Sequence, residues 1–480
     1  MLRAGVIAAA AALVLAGCAE GEPPPLRGTE LAAAITPEAL GEHIDSLQRI
    51  ADANGGNRGD GMPGFTASVD YVAGKLRERG FEVTTPEFGY DIYEVRSQRL
   101  TVAGQEVPLG VVRYSPATAA SGVTARIVAL PDTDGPGCET TDYEGRTVAG
   151  AVVLVPRGVC PFAQKARIAA EQGAAAAIVA NNEEGPLPGA TLGEPEAGRI
   201  PTVVVDRPTG AVLAAATEPV TLVVDAANQT ITSRNVIAQT RTGSTDDVVM
   251  VGAHLDSVPE GPGLNDNGSG TAAVLETAVQ LGGSPQVTNS VRFAFWGAEE
   301  LGLVGSDRYL SDLDREQRLD IALYLNFDML GSPNYGHFVY DGDNSDRTGE
   351  PAGPDGSAGI ERTMAAALLQ RGVTPRGSDL DGRSDYQPFA ERAIPVGGSD
   401  TGADAKKTAE EAALWGGTVD QTFDPNYHTA RDTAANVNRD ALAAEAGGVA
   451  LTVATYAGSI GGPNGVPARA DRERVRGDKA

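Results

Sequence analysis

Short runs of continuous apolar residues alternate with longer segments of helical periodicity from Asn235 to Tyr456. Residues 248–251, 291–295 and 322–327 read as strands, and 271–281, 304–310, 360–370 and 441–456 as helices. Gly282-Gly283 stops the first of these helices. Continuous apolar strands separated by helices predict an α/β fold with a mixed, mostly parallel sheet covered on both faces. Upstream, Thr36-Pro37-Glu38 has the form of a helix start, with Thr36 as cap and Pro37 in the first turn. That helix is predicted to reach about Ala51. A second runs over 66–79 and ends at Gly80, a strand follows over 81–88, and 55–64 reads as a loop.

The pattern changes between about 116 and 225. Charge thins, and short Val/Ala/Ile runs alternate with Gly/Pro turns. Residues 151–155 and 176–180 read as buried strands with a helix over 162–172 between them. This stretch holds no histidine and no acidic cluster of ligand type. The two chain ends differ again. After Arg3, residues 4–16 are small and apolar but too few to span a bilayer. The run closes with Leu15-Ala16-Gly17-Cys18, which resembles a bacterial lipoprotein signal with Cys18 as the lipidated residue; ordinary secretion with an incidental Cys18 is the alternative. Residues 19–35, with Pro23-Pro24-Pro25, read as a flexible tether. The charged stretch 462–480 reads as a disordered tail.

The length of 480 residues allows two or three domains, and 41% apolar residues suffice for real cores. A formal net charge of -26 argues against a nucleic-acid partner and against attraction to an anionic membrane surface. It favours solubility, and it would steer a cationic substrate such as a free peptide amino terminus. In an exported chain, Cys138 and Cys160 point to a disulfide in preference to a metal site or two free buried thiols.

The candidate chemistry lies at the ends of the predicted strands. His254 follows the strand at 248–251, Glu299 and Glu300 follow the one ending at Phe295, and Asp328 directly follows Phe327. Open α/β sheets place their sites at such carboxyl ends. Asp266 sits in the Asn265-Asp266-Asn267-Gly268 turn before a helix, and His428 in a late loop. Neutral imidazole with carboxylate oxygen is a zinc ligand set. Five such ligands exceed one tetrahedral ion; they suit two zinc ions about 3.5–4 Å apart that share a carboxylate. Glu299 is then left over, as a general base would be. Of the other histidines, His43 and His337 match no motif and read as structural or surface residues.

These residues resemble the co-catalytic zinc aminopeptidases of metallopeptidase family 28, the secreted bacterial leucyl-aminopeptidase type. The motifs are His254-Leu255-Asp256-Ser257-Val258, Gly261-Pro262-Gly263-Leu264-Asn265-Asp266-Asn267-Gly268-Ser269-Gly270, Gly297-Ala298-Glu299-Glu300-Leu301-Gly302, Ser306, Asn326-Phe327-Asp328-Met329, Arg383-Ser384-Asp385-Tyr386-x-Pro388-Phe389 and Tyr427-His428, in family order. The stretch from Cys138 through Arg157-Gly158-Val159-Cys160-Pro161-Phe162, Lys165 and Gly173-Ala174-Ala175 to Asn181-Asn182 resembles a protease-associated domain.

The resemblance implies a zinc-peptidase/phosphorylase-like domain over 36–115 and 231–461. It is interrupted at 116–230 by a non-catalytic domain that flanks the active site. It also implies two zinc ions. His254 and Asp328 would bind one, Glu300 and His428 the other, and Asp266 both. Asp256 would orient the His254 imidazole. Glu299 would take a proton from the attacking water and pass it to the leaving amine. Tyr427 would donate to the oxyanion, and Arg383 would help position the substrate. Asn426 and Arg431 stand where some bacterial members have two cysteines, so that local disulfide is absent.

The expected activity is removal of the N-terminal residue, large and apolar by preference, from peptides with a free amino terminus. It would be performed outside the cell by a membrane-anchored enzyme. Carboxypeptidase or glutaminyl cyclase action on the same fold, or a non-catalytic peptide-binding protein, are the rival readings.

Overall fold

The structure is a computed structural model that describes residues 26–131, 136–185, 189–346 and 351–479. Cys18 and the leader around it lie outside these residues. No helix among the described residues is long and apolar enough to cross a membrane. The chain divides into two compact units, one of residues 26–88 with 232–479 and one of 89–231.

The first unit is built on an eight-stranded sheet. Its order is Glu82–Thr84, Val236–Gln239, Asn289–Trp296, Ser244–His254, Ile321–Phe327, Val396–Asp400, Phe338–Tyr340, Arg376–Ser378. The four strands from Asn289–Trp296 to Val396–Asp400 are mutually parallel, and antiparallel pairings flank them on both sides. Successive side chains leave a strand on opposite faces, and both faces here are apolar. Val249, Val251, Phe293, Phe295, Leu323 and Leu325 join the core formed with helices Pro37–Ala53, Pro63–Glu78, Gly268–Leu281 and Arg439–Gly458. Met250, Trp296 and Tyr324 face the other way, packing with Leu310 and Phe389. There the Tyr324 and Phe389 rings stack at 3.9 Å, and the Trp296 indole donates to the Tyr324 hydroxyl at 2.8 Å. Gly252 makes room for this pair, because a Cβ at that position would lie 2.4 Å from the Tyr324 hydroxyl. The expected sheet, mostly parallel and covered on both faces, is present.

Local signals carried far. The Thr36 hydroxyl accepts from the Ala39 amide at 3.2 Å and caps the helix that begins at Pro37. The chain ends did not follow their composition. The segment read as a tether contains helix Gly28–Ala34, which buries Leu31 and Ala32 in the main core. The segment read as a disordered tail contains helix Arg469–Arg476. Two of its charges are not solvated: Arg472 and Arg476 are buried, and their guanidinium groups bind backbone carbonyls of Asp246, Leu319, Arg318 and Ile321.

The second unit holds a five-stranded sheet, parallel from Ile127–Ala129 through Val152–Pro156 and Ala176–Ala180 to Thr202–Val205. A four-stranded sheet built on Glu87–Val102 and Val220–Arg234 shares a core with it, Leu100 and Leu222 packing with Val152, Ile178 and Val203. This unit begins at Gly89, well before the boundary at 116 drawn from composition. The strand Glu87–Val102 is mostly exposed along its middle, so its sequence does not resemble the buried strands that follow. Cys138 and Cys160 form a disulfide with a Cα–Cα distance of 5.9 Å.

Candidate active site

Three parallel strands deliver the chemistry. His254 closes strand Ser244–His254, Glu299 and Glu300 lie in the turn after Asn289–Trp296, and Asp328 follows Ile321–Phe327. Asp266 is added by the turn that opens helix Gly268–Leu281, and His428 by the loop 424–432. Gly270 lets that helix start meet the sheet, because a Cβ there would lie 2.2 Å from the Phe327 carbonyl oxygen. The asparagines beside Asp266 stitch the turn down. Asn267 Oδ1 accepts from the Gly270 and Met329 amides and its Nδ2 donates to the Phe327 carbonyl, while Asn265 Nδ2 donates to Asp424 at 2.7 Å.

The side chains converge as two triads with one member in common. His254 Nε2 lies 3.1 Å from Asp266 Oδ1 and 3.3 Å from Asp328 Oδ1. His428 Nε2 lies 3.1 Å from Asp266 Oδ2 and 3.0 Å from Glu300 Oε2. Asp266 thus turns one oxygen to each triad. Glu299 stands beside them, its Oε2 3.9 Å from His254 Nε2. His428, Ala298 and Met329 adopt left-handed backbone, each at or next to one of these groups. Such conformations cost about 1–3 kcal/mol each and persist where surrounding structure holds them.

A metal fits this donor set. His254 Nε2, Asp328 Oδ1 and Glu300 Oε1 are buried and have no hydrogen-bond partner among the described residues. Buried polar atoms are seldom left in that state unless an ion or water completes them. The electrostatics agree. Burial, and then the nearby Asp385, Asp328 and Glu300 carboxylates, hold the Glu299 carboxyl well above its usual range. Burial and Asp266 push Glu300 up to about 7. Burial opposes protonation of His428, yet Asp266 and Glu300 outweigh it and push the imidazole up to about 10. The cluster carries more negative charge than two imidazoles balance, and cations would relieve it.

Residues 235–453 match the profile of Peptidase family M28, and 123–213 match the PA domain. The chain is 53% identical to the probable lipoprotein aminopeptidase LpqL of Mycobacterium tuberculosis over 443 residues, 92% of this chain and 89% of that one. This chain belongs to peptidase family M28. It is also 42% identical to an aminopeptidase of Pseudomonas aeruginosa, over 84% of this chain and 77% of that one. Among solved structures, the aminopeptidase of Aneurinibacillus sp. strain AM-1 superposes with a TM-score of 0.64 at 28% identity, covering 90% of this chain and 97% of its own. The zinc aminopeptidase BSAP of Bacillus subtilis does so with 0.60 at 26%, covering 90% and 97%. The PA domain match lies within the second unit, which interrupts the M28 unit in sequence.

Within the M28 unit, Asp256 supports the site in two ways. His254 Nδ1 contacts the Asp256 backbone carbonyl at 3.1 Å, and the carboxylate is farther, at 3.7 Å. That carboxylate accepts from the amides of Glu299 at 3.2 Å and Glu300 at 3.3 Å, so it holds the turn that presents both glutamates. Tyr427 stacks on the His428 ring with centroids 3.8 Å apart, and Arg383 reaches its hydroxyl at 3.5 Å while pairing with Asp404 at 3.1 Å. His43 and His337 lie away from the site, buried against Glu276 at 3.0 Å and Glu445 at 2.6 Å.

Several supporting residues escaped the sequence reading. Arg58, wholly buried in the stretch read as a plain loop, donates to the carbonyls of Leu255, Pro262 and Gly263, which belong to the segments carrying His254 and Asp266. Asp432 accepts from the amides of Asn265 at 2.7 Å and Asp266 at 2.9 Å. It ties the His428 loop to the Asp266 turn. Ser384 donates to Asp328 Oδ2 at 2.6 Å and leaves Oδ1 for the triad. A motif position flags Ser384; nothing local flags Arg58 or Asp432.

Proposed function

We propose that this chain is an exported, lipid-anchored two-zinc aminopeptidase that removes the N-terminal residue from peptides. The observation that carries the reading is the division of the two Asp266 oxygens between the triads His254/Asp328 and Glu300/His428. It supports two metal sites sharing one carboxylate, where a cyclase would need one. When bound, zinc at such a pair polarises the scissile carbonyl and makes water more acidic. Glu299 is not needed as a ligand, is buried beside His254 and has a raised affinity for protons. It takes the proton of the attacking water and returns it to the leaving amine. Burial keeps the Tyr427 hydroxyl protonated, so it donates to the oxyanion as negative charge develops. Arg383 lines the cleft and steadies the peptide backbone.

The acidic centre suits a free ammonium group. Arg383, the motif arginine that a carboxypeptidase reading would use for a terminal carboxylate, is already paired with Asp404. Met329, Phe338, Tyr340 and Phe423 line the cleft and offer apolar surface to a large side chain. Export and anchoring at Cys18 draw support from the leader sequence and from the lipoprotein relative. The test is hydrolysis of leucine p-nitroanilide against its N-acetyl counterpart, with chelator and with zinc restored. Cleavage of the free-amine substrate alone, lost with chelator and regained at two zinc per chain, is expected. Equal cleavage of both substrates, or full activity at one zinc per chain, would overturn the proposal.

A further inference from the structure

The cleft containing the triads encloses about 600 Å3 and continues past them. Met329, Phe338, Tyr340 and Phe423 are apolar or aromatic parts of its lining, and Asp400 lies in the same lining. Asp400 ends strand Val396–Asp400, which pairs with the strand preceding Asp328, and it sits directly across from Phe338. As a residue Asp400 is partly exposed, while burial of its carboxyl, with Glu445 and Asp328 near it, raises its affinity for protons. Oδ1 accepts from the Gly402 amide at 2.9 Å and Oδ2 from the Ser378 hydroxyl at 3.0 Å. A carboxylate offers about four acceptor positions, so each oxygen retains capacity. Among the described residues Asp400 belongs to no ion pair, and the arginine of the cleft, Arg383, is engaged by Asp404.

A leucine side chain in this pocket would strip water from Asp400 and offer it nothing in return. A lysine or arginine side chain would lay its methylene stem along the aromatic walls and bring a cation to the carboxylate. We propose that the side-chain pocket of this cleft selects N-terminal residues with a long aliphatic stem and a cationic tip, lysine and arginine, and that Asp400 is the specificity-determining residue. The inference rests on the aminopeptidase reading and replaces the large apolar preference expected from the sequence with a long stem that ends in a cation.

The experiment compares kcat/KM for lysine, norleucine and Nε-acetyl-lysine p-nitroanilides. Norleucine keeps the stem and lacks the ammonium group; acetyl-lysine keeps the length and lacks the charge. The zinc-loaded wild-type enzyme is expected to prefer lysine over both by about tenfold or more, as a charge-assisted contact warrants. In Asp400→Asn the lysine-to-norleucine ratio is expected to fall by about the same factor. The ratio is read within one preparation, so a general loss of activity cancels. Wild-type enzyme that cleaves norleucine as well as lysine overturns the proposal without any variant, as does an Asp400→Asn ratio within twofold of wild type. Absence of turnover on every free-amine substrate would instead remove the aminopeptidase reading, and this inference with it.

Discussion

Replacing Ser384 by alanine isolates how one hydroxyl prepares one metal site. Ser384 donates to Asp328 Oδ2 at 2.6 Å and accepts from Asn326 Nδ2 at 2.8 Å. Asn326 keeps a contact to the Tyr340 hydroxyl at 3.3 Å, so the loss falls mainly on Asp328. A hydrogen bond to a charged group contributes about 1.5–3 kcal/mol. Partners of metal ligands typically control about 10–100-fold in metal affinity, which corresponds to about 1.4–2.7 kcal/mol. The two routes agree. Asp328 belongs to the triad with His254 and not to the one with His428. Competition titration with a zinc chelator is therefore expected to show one of two dissociation constants rising by that factor while the other holds. Unchanged constants would show that Ser384 does not position Asp328. Equal weakening of both would show that the sites are not separable as the geometry suggests.

Glu299→Gln is expected to retain both zinc ions and to lose about 10²–10⁴-fold in kcat, because it removes a proton acceptor and no ligand; loss of zinc in elemental analysis would make Glu299 a ligand. Arg58→Met leaves three carbonyls near the site without their donor, at about 1–3 kcal/mol for each that stays buried, so chemical denaturation of the metal-free chain is expected to show several kcal/mol of lost stability. A change under about 1 kcal/mol would refute that role. Deleting residues 467–480 removes Arg472 and Arg476 from their carbonyl acceptors and is expected to lower the melting temperature clearly; an unchanged melting curve would restore the disordered-tail reading. Cys138 and Cys160 are expected to resist thiol reagents until reduced, and Cys138→Ser with Cys160→Ser to destabilise by about 3 kcal/mol with zinc content intact. Rapid labelling of the untreated protein would contradict the bond.

The sequence by itself determined the kind and order of the main elements and the residues from which the site is drawn. Helical and strand periods repeat within a few residues, and so do the Thr36 cap and the stop at Gly282, so each can be read locally. His254, Glu299, Glu300 and Asp328 were legible because each lies within a few residues of the end of an apolar run, and a parallel sheet gathers such positions at one edge. Other features depended on packing between residues far apart in the chain. Asp266 meets Asp432 across 166 positions, Asn265 meets Asp424 across 159, and Arg58 meets Pro262 across 204. No local pattern marks such partners. Arg58 and Arg472 look like solvated charges in sequence, yet in the fold backbone carbonyls converge on both and Asp247 pairs with Arg472. The same holds for Asp400. As a residue it is an ordinary acid at a strand end, and only the tertiary structure decides that it shares a cleft with aromatic walls and a candidate metal centre.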